Sequence, residues 1–120
     1  MFYFDTYALI EILQSNPAYC AYDNVISVVI SQLNLMELYY WALRERGQET
    51  ADRYYDYLER LCRPFTSEDI KLACKFRFQH RGKGISYIDA LGYAMARRLC
   101  IKFLTGDNAF KGLPNVEFVR

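Results

Sequence analysis

Hydrophobic and polar positions along the chain alternate between two patterns, one typical of buried strands and one typical of helices. Nearly continuous apolar runs predict strands over residues 1–4 (MFYF), 25–31 (VISVVIS), 101–105 (IKFLT) and 116–119 (VEFV). Apolar residues at helical spacing predict helices over residues 6–14, 34–47, 49–62, 67–82 and 84–100. Residues 63–66 (RPFT) predict a further short strand, and residues 15–24 and 106–112 predict loops.

This order of elements predicts an α/β fold. Strands that alternate with helices form a central, mainly parallel sheet, and strands that are apolar throughout require helices on both faces of that sheet. Hydrophobic residues make up 52% of the 120 residues, which is enough to build a core. The sequence therefore predicts one three-layer α/β/α domain over residues 1–120.

Composition narrows the class of protein. The net charge of +1 neither requires nor excludes a polyanionic partner. The four cysteines show no Cys-x-x-Cys spacing and there is one histidine, which argues against a zinc site and is typical of a reducing compartment. The N-terminal stretch has no basic region of a signal peptide, and no apolar run is long enough to cross a membrane. We expect a cytoplasmic protein without a membrane segment.

Asp89 raises the first chemical question, because it lies in a helix that is apolar on every side for two turns. A carboxylate buried there without a partner would be costly. Basic neighbours, helix starts and surface positions explain most of the 14 acids, and four remain: Asp5, Glu37, Asp89 and Asp107. Each has a structural alternative, because Asp5 could cap a helix and Asp107 could hold a turn. Capping boxes at Asn34-x-x-Glu37 and Ser86-x-x-Asp89 would explain the other two.

The predicted fold brings these four acids towards one edge of the sheet. Asp5 and Asp107 follow predicted strands, and Glu37 and Asp89 lie near the starts of predicted helices. Carboxylates that converge repel one another and raise each other's pKa values unless a cation neutralises them. Oxygen ligands without His or Cys favour a hard ion, so the sequence predicts a Mg²⁺ or Mn²⁺ site suited to phosphoryl chemistry.

The four acids also occur in the order and local sequence of a known family. With FDTYALIEIL around Asp5, NLMELYYW around Glu37, SYIDALGYAMA around Asp89 and TGDNAF around Asp107, the chain resembles PIN domains. More narrowly, it resembles the VapC toxins of bacterial and archaeal toxin–antitoxin pairs, over essentially its whole length. One departure is Asn34, at a position where similar proteins often carry Ser or Thr.

This resemblance implies a PIN-like fold and a metal-dependent endoribonuclease. Asp5, Glu37, Asp89 and Asp107 would hold Mg²⁺ or Mn²⁺, and Thr105 would place its hydroxyl against the catalytic site. A water activated by the metal would attack an RNA phosphodiester while the metal stabilises the charge on the phosphate oxygens. Two alternatives stay open: an RNA-processing PIN nuclease without an antitoxin, and a non-catalytic interaction module on the same fold.

A basic segment precedes Asp89. Residues 70–87 carry five Lys or Arg residues, one His and no acid. We expect four of these cations to bind RNA phosphates on the way to the metal site: Lys75, Arg77, Arg81 and Lys83. The alternative is a solvated helix face with Phe76 or Phe78 in the core.

The chain contains 11 tyrosines, more than the core of a small domain needs, and exposed aromatic surfaces often bind partners. By resemblance, VapC-like proteins form dimers and bury an antitoxin segment across the helix pair that corresponds to residues 34–47 and 49–62. We therefore expect a homodimer that binds a small antitoxin protein through Tyr40, Tyr54 and Tyr57. Core packing is the alternative for these tyrosines.

Overall fold

A four-stranded sheet forms the centre of the computed structural model, which describes residues 1–23 and 28–120. The strands are β1 (Phe2–Phe4), β2 (Val28–Val29), β3 (Lys102–Thr105) and β4 (Val116–Phe118). Their order across the sheet is β2-β1-β3-β4, and every pairing is parallel. Tyr3 lies between Val29 and Phe103, and Phe103 lies beside Val116. The predicted α/β fold with a mainly parallel sheet is confirmed.

Six helices accompany the sheet in the described ranges: α1 (Thr6–Leu13), α2 (Cys20–Asp23), α3 (Gln32–Arg46), α4 (Gln48–Leu58), α5 (Ser67–Gln79) and α6 (Tyr87–Arg98). Short 3-10 turns occur at Pro17–Tyr19, Glu59–Leu61 and Asn108–Phe110. Gly47 separates α3 from α4 with a φ of 86°, a left-handed conformation that glycine adopts without strain. No helix within residues 1–23 and 28–120 has the length and apolar character needed to cross a membrane.

The path of the chain differs from the prediction in three places. Of the strand predicted over residues 25–31, residues 25–27 lie outside the described ranges, β2 has two residues, and Ile30 forms a single bridge to Cys62. Residues 63–66 form no strand, and Pro64 has no N–H with which to extend a ladder. The loop predicted over residues 15–24 contains α2, and residue 24 lies outside the described ranges.

Two apolar layers cover the sheet, because successive residues of a strand point to opposite faces. Tyr3 and Phe103 pack with residues of α5 and α6, whereas Phe4 and Leu104 pack with residues of α1, α3 and α4. Helix α6 lies close to the sheet: a Cβ atom added to Gly92 would be 2.6 Å from Cε1 of Tyr3. This close packing of the middle of α6 fixes where its first turn meets the edge of the sheet.

An ion pair between an exposed arginine and a buried carboxylate fastens the start of α5 to the end of α6. Arg98 Nε donates to both carboxylate oxygens of Asp69, at 2.8 and 3.0 Å. Asp69 also accepts from the backbone N–H of Thr66 at 2.9 Å, as part of the capping box that begins α5. Burial alone would raise the pKa of Asp69, but the hydrogen bonds from Arg98 and Thr66 lower it overall. The pair therefore contributes to the stability of this helical layer.

We expect Asp69→Asn to lower the free energy of unfolding by about 2 kcal/mol, because the change removes the partner of Arg98 and the charged acceptor of the cap. The contribution of Asp69 is present above its unfolded-state pKa of 3.8 and is lost as the pH falls through its lower folded-state pKa. The variant and the wild type should therefore converge in acid. Urea unfolding at neutral and acidic pH measures this, with Glu68→Gln, at an exposed acid in the same helical turn, as the control. Equal effects of the two substitutions would contradict the assigned role.

Candidate active site

An open cleft of about 770 Å³ lies at the edge of the sheet where β1 and β3 end. All four predicted carboxylates line it: Asp5 follows β1, Glu37 lies in α3, Asp89 lies in the first turn of α6, and Asp107 follows β3. The remaining lining residues are Thr6, Tyr7, Ile10, Met36, Tyr40, Trp41, Arg44 and Arg120. The topology thus collects acids that are far apart in sequence on one concave surface.

Asp5 is the most deeply buried acid of the cleft. It is the N-cap of α1, where its Oδ1 accepts a hydrogen bond from the backbone N–H of Ala8 at 2.8 Å. Its Oδ2 accepts a hydrogen bond from the hydroxyl of Thr105. The backbone N–H of Asp5 donates to the carbonyl of Leu104 at 3.2 Å, which continues the pairing of β1 with β3. Asp5 therefore caps a helix, as the structural alternative held, and also lines the cleft.

Thr105 and Asp107 form a tight turn at the end of β3. Thr105 Oγ1 accepts from the backbone N–H of Asp107 at 3.0 Å while its hydroxyl donates to Asp5. Asp107 Oδ1 accepts from a backbone N–H at 3.0 Å and so holds the following 3-10 turn. Gly106, between these two residues, lets the chain after β4 pass close to the turn, because a Cβ atom there would lie 2.6 Å from the carbonyl oxygen of Val119. Thr105 is buried and orients Asp5, which makes it a positioning residue.

Glu37 is held by a chain of polar side chains, the polar relay, which consists of Tyr3, Asn34, Thr6 and Glu37. The hydroxyl of Tyr3 donates to Oδ1 of Asn34, and Nδ2 of Asn34 donates to Oγ1 of Thr6 at 3.1 Å. The hydroxyl of Thr6 then donates to Oε1 of Glu37 at 2.6 Å. The predicted capping box of Asn34 and Glu37 is wrong. Ser31 is the N-cap of α3 and Asn34 is its capping partner, which places Glu37 in the second turn.

The position of Asp89 explains an acid in an apolar helix. The middle of α6 is buried, but its first turn opens onto the cleft, and the carboxyl group of Asp89 lines that cleft. Ser86 is the N-cap of α6, and its Oγ accepts from the backbone N–H of Asp89 at 3.1 Å. Burial, followed by the charges of Glu37 and Asp107, raises the pKa of Asp89 to about 6.

The electrostatics of the cleft favour a cation. Burial, reinforced by the charges of Asp89 and Asp107, raises the pKa of Asp5 to about 8, although the hydrogen bonds from Thr105 and Ala8 lower it. The acidic donors are all carboxylate oxygens, which suit a hard divalent ion. Within residues 1–23 and 28–120, no three His, Cys, Asp or Glu side chains form a ready-made metal-binding group. The four acids line one cleft, but their oxygens are not close enough together to coordinate a single ion as they stand.

Two arginines of the cleft were not predicted. Arg44 lies in the last turn of α3, and Arg120 donates from Nη1 to the carbonyl of Gly106 at 3.0 Å. Arg44 follows Glu37 by seven residues, which is two helical turns on one face, so the helical period could have located it. Arg120 gives no comparable signal, because its place depends on how the chain folds back beside the end of β3.

The predicted RNA-binding residues lie on α5 and on the loop before α6, outside the described lining of the cleft. Lys75 lines a groove of about 410 Å³ between α5 and α6. The guanidinium groups of Arg77 and Arg81 each donate to a nearby backbone carbonyl at 2.8 Å. Lys83 is exposed in the loop. These four cations, the basic surface, lie along α5 and in the segment between α5 and α6.

The three tyrosines predicted to bind a partner differ in exposure. Tyr40 and Tyr57 are exposed, and each has an arginine guanidinium near its ring, at 5.5 Å for Arg44 and 4.5 Å for Arg60. Tyr54 is half-buried. Tyr40 also lines the cleft, so the exposed surface of α3 extends to the acids.

The fold and the site define a known class of protein. The PIN domain family model matches residues 2–116, and the chain belongs to the PIN domain family. The family match agrees with the resemblance to PIN domains that the order of the four acids indicates. No curated protein sequence matches the chain significantly.

Several solved structures share this fold. A toxin–antitoxin complex from Klebsiella pneumoniae has a TM-score of 0.77 at 19% identity, covering 98% of this chain and 96% of that one. VapBC2 from Rickettsia felis, bound to a DNA fragment from its promoter, has a TM-score of 0.74 at 22% identity, with coverages of 98% and 97%. Mycobacterium tuberculosis VapC20, a toxin that cleaves the sarcin-ricin loop, has a TM-score of 0.78 at 19% identity, with full coverage of both chains. At these identities the likeness establishes the fold.

In EDTA, we expect Asp5→Asn and Asp89→Asn to melt no lower than the wild type. The folded-state pKa values of about 8 and about 6 lie above the reference value of 3.8. The stability that these two protonated acids contribute is therefore fully present below pH 3.8 and is lost as the pH rises from there through about 6 for Asp89 and about 8 for Asp5. Asparagine stays neutral and is also a good N-cap. The advantage of Asp5→Asn should therefore grow as the pH rises from 3.8 to about 8 and level off above that.

Thermal unfolding from acidic to alkaline pH measures this difference, with Asp56→Asn as the control for an exposed acid on α4. If both site variants melted well below the wild type at every pH, the two acids would serve the helix starts alone.

Proposed function

We propose that this PIN domain is a metal-dependent endoribonuclease that hydrolyses RNA phosphodiesters, and that it is the cytoplasmic toxin of a toxin–antitoxin pair. The observation that carries the proposal is the meeting of Asp5, Glu37, Asp89 and Asp107 in one open cleft of this family's fold. The shared fold with toxin–antitoxin proteins supports it further. We further propose that residues 1–120 act as one domain.

The residues of the cleft fit a divalent cation, either Mg²⁺ or Mn²⁺. Asp5, Glu37, Asp89 and Asp107 would hold it, because these are the acidic oxygen donors that line the cleft. Burial, followed by repulsion from neighbouring acids, raises the pKa values of Asp5 and Asp89, and a bound cation would favour their ionised forms. When bound, the ion would activate water and neutralise the charge that develops on the phosphate oxygens.

The other residues of the cleft position these acids and the substrate. Thr105 and the backbone N–H of Ala8 hold Asp5 in one orientation, and the polar relay does the same for Glu37. Arg44 and Arg120 place positive charge at the cleft, where their guanidinium groups can bind phosphate oxygens. RNA would reach the cleft across the basic surface of Lys75, Arg77, Arg81 and Lys83.

The antitoxin and a second copy of the chain are the proposed protein partners. Tyr40 and Tyr57 are exposed on the α3–α4 pair, and Tyr54 lies half-buried between them in sequence. Because Tyr40 lines the cleft, a segment bound along this pair would also reach the carboxylates. This arrangement would let an antitoxin block RNA while it holds the toxin.

We expect the protein to cleave single-stranded RNA with Mg²⁺ or Mn²⁺ and to lose this activity in EDTA. Asp5→Asn, Glu37→Gln and Asp89→Asn should each lower the single-turnover cleavage rate by about 100-fold or more, because each removes a charged oxygen donor. Glu49→Gln, at an exposed acid on α4, is the control. Cleavage that persists in EDTA would overturn the metal mechanism, and absence of cleavage with either ion would favour the interaction module.

We expect the purified chain to be a dimer and to form a stable complex with the small protein encoded by the adjacent reading frame. Tyr57→Ala should raise the Kd of that complex about 10-fold or more, because truncating an aromatic residue at the centre of an interface removes a large share of the binding energy. Light scattering and titration calorimetry measure both properties, with Asp56→Asn as the control on the same helix. A monomer that does not bind this small protein but cleaves RNA would point to an RNA-processing nuclease.

A further inference from the structure

Two large aromatic rings are exposed where α5 turns into α6. The side chains of Phe78 and Tyr87 are 67% and 66% exposed, although both are apolar enough to be buried. The neighbouring Phe76 packs against the core, so the core alternative holds for Phe76 and is wrong for Phe78. The fold therefore leaves two rings in solvent that its own packing does not use.

Each ring carries an arginine against one face. The guanidinium carbon of Arg77 lies 4.0 Å from the centre of the Tyr87 ring, and that of Arg81 lies 4.5 Å from the centre of the Phe78 ring. Hydrogen bonds fix both arginines, because Arg77 Nε donates to the carbonyl of Ile85 and Arg81 Nη1 donates to the carbonyl of Phe78. A guanidinium that is already held in place keeps its ring oriented for a further stacked partner.

The charge around these rings selects an anionic partner. Residues 70–88 include Lys71, Lys75 and Lys83 as well as the two arginines, and they contain no acid. Tyr57 makes a useful contrast, because it also lies against an arginine but stands next to Asp56 and close to Glu59. Tyr87 also has an acid nearby, Asp89, but residues 70–86 before it contain five cations and no acid, whereas Asp56 directly precedes Tyr57.

Position connects these rings to the cleft. Tyr87 is the first residue of α6 and Asp89, two residues later, lines the cleft with its carboxyl group. RNA bound at Asp89 would have neighbouring nucleotides close to Tyr87, because both residues lie in the first turn of α6. Bases of a single strand are free to stack on aromatic rings, whereas paired bases are not.

We propose that Phe78 and Tyr87 form a base-stacking platform for single-stranded RNA, with Arg77 and Arg81 supporting the rings and attracting the phosphates. This inference rests on the proposed ribonuclease function and adds how the substrate is held beside the cleft. The platform selects unpaired RNA, and its stacking contacts tolerate different base sequences.

The test uses the Asp5→Asn protein in EDTA, so that RNA is bound and not cut, and a short single-stranded RNA that contains 2-aminopurine. Phe78→Ala combined with Tyr87→Ala should weaken binding about 5- to 100-fold and remove the quenching of 2-aminopurine fluorescence that stacking causes. The dependence of affinity on salt should stay unchanged, because the phosphate contacts remain. Tyr87→Phe should retain binding, since it keeps the ring.

Ile70→Ala is the matched control, because Ile70 is an exposed apolar residue, 46% exposed, near the other end of α5. Circular dichroism confirms that every variant is folded. Unchanged binding and quenching in the double alanine variant, while the wild type still cleaves RNA, would overturn the platform and leave the nuclease intact. A wild type that neither binds nor cleaves single-stranded RNA would overturn both. Equal binding of the same sequence as a duplex would also overturn the stacking role.

Discussion

The hydrogen bonds of one buried side chain, Asp5, at the end of a central strand organise the edge of the sheet. Its two oxygens accept hydrogen bonds from the start of α1 and from Thr105 at the end of β3, so a single side chain ties together a strand, a helix and a neighbouring strand. The same group lines the cleft. The position of the cleft at the edge of the sheet is therefore a direct result of how β1 ends.

The acids that serve the site oppose the stability of the fold. Burial, followed by repulsion from neighbouring acids, raises the pKa values of Asp5 and Asp89, and ionising both in the folded state costs free energy. Buried apolar packing on both faces of the sheet and the ion pair of Asp69 with Arg98 supply stability away from the cleft. A cation at the cleft would relieve the repulsion, which couples occupancy of the site to the stability of the fold.

The sequence pattern was enough to predict the parallel sheet, five of the helices and the four acids of the cleft, because each leaves a local signal. Asp5 and Asp107 follow apolar runs, and Asp89 stands out in an apolar helix. The polar relay and Arg120 leave no such signal, since their contacts join residues that only the folded chain brings together. The capping box at Asn34 was misplaced because Ser31 was assigned to the preceding strand, although it caps α3.

The polar relay has a consequence for how freely the interior can vary. Tyr3 is fully buried in the layer beneath α6, yet its hydroxyl begins the series of hydrogen bonds that ends at Glu37. Replacing Tyr3 by another large apolar residue could fill the same space but would leave the amide of Asn34 without one of its donors. A substitution at Tyr3, Asn34 or Thr6 thus affects the hydrogen bonds of the other two. The need to hold the carboxylate of Glu37 in place therefore limits which residues these three positions can accept.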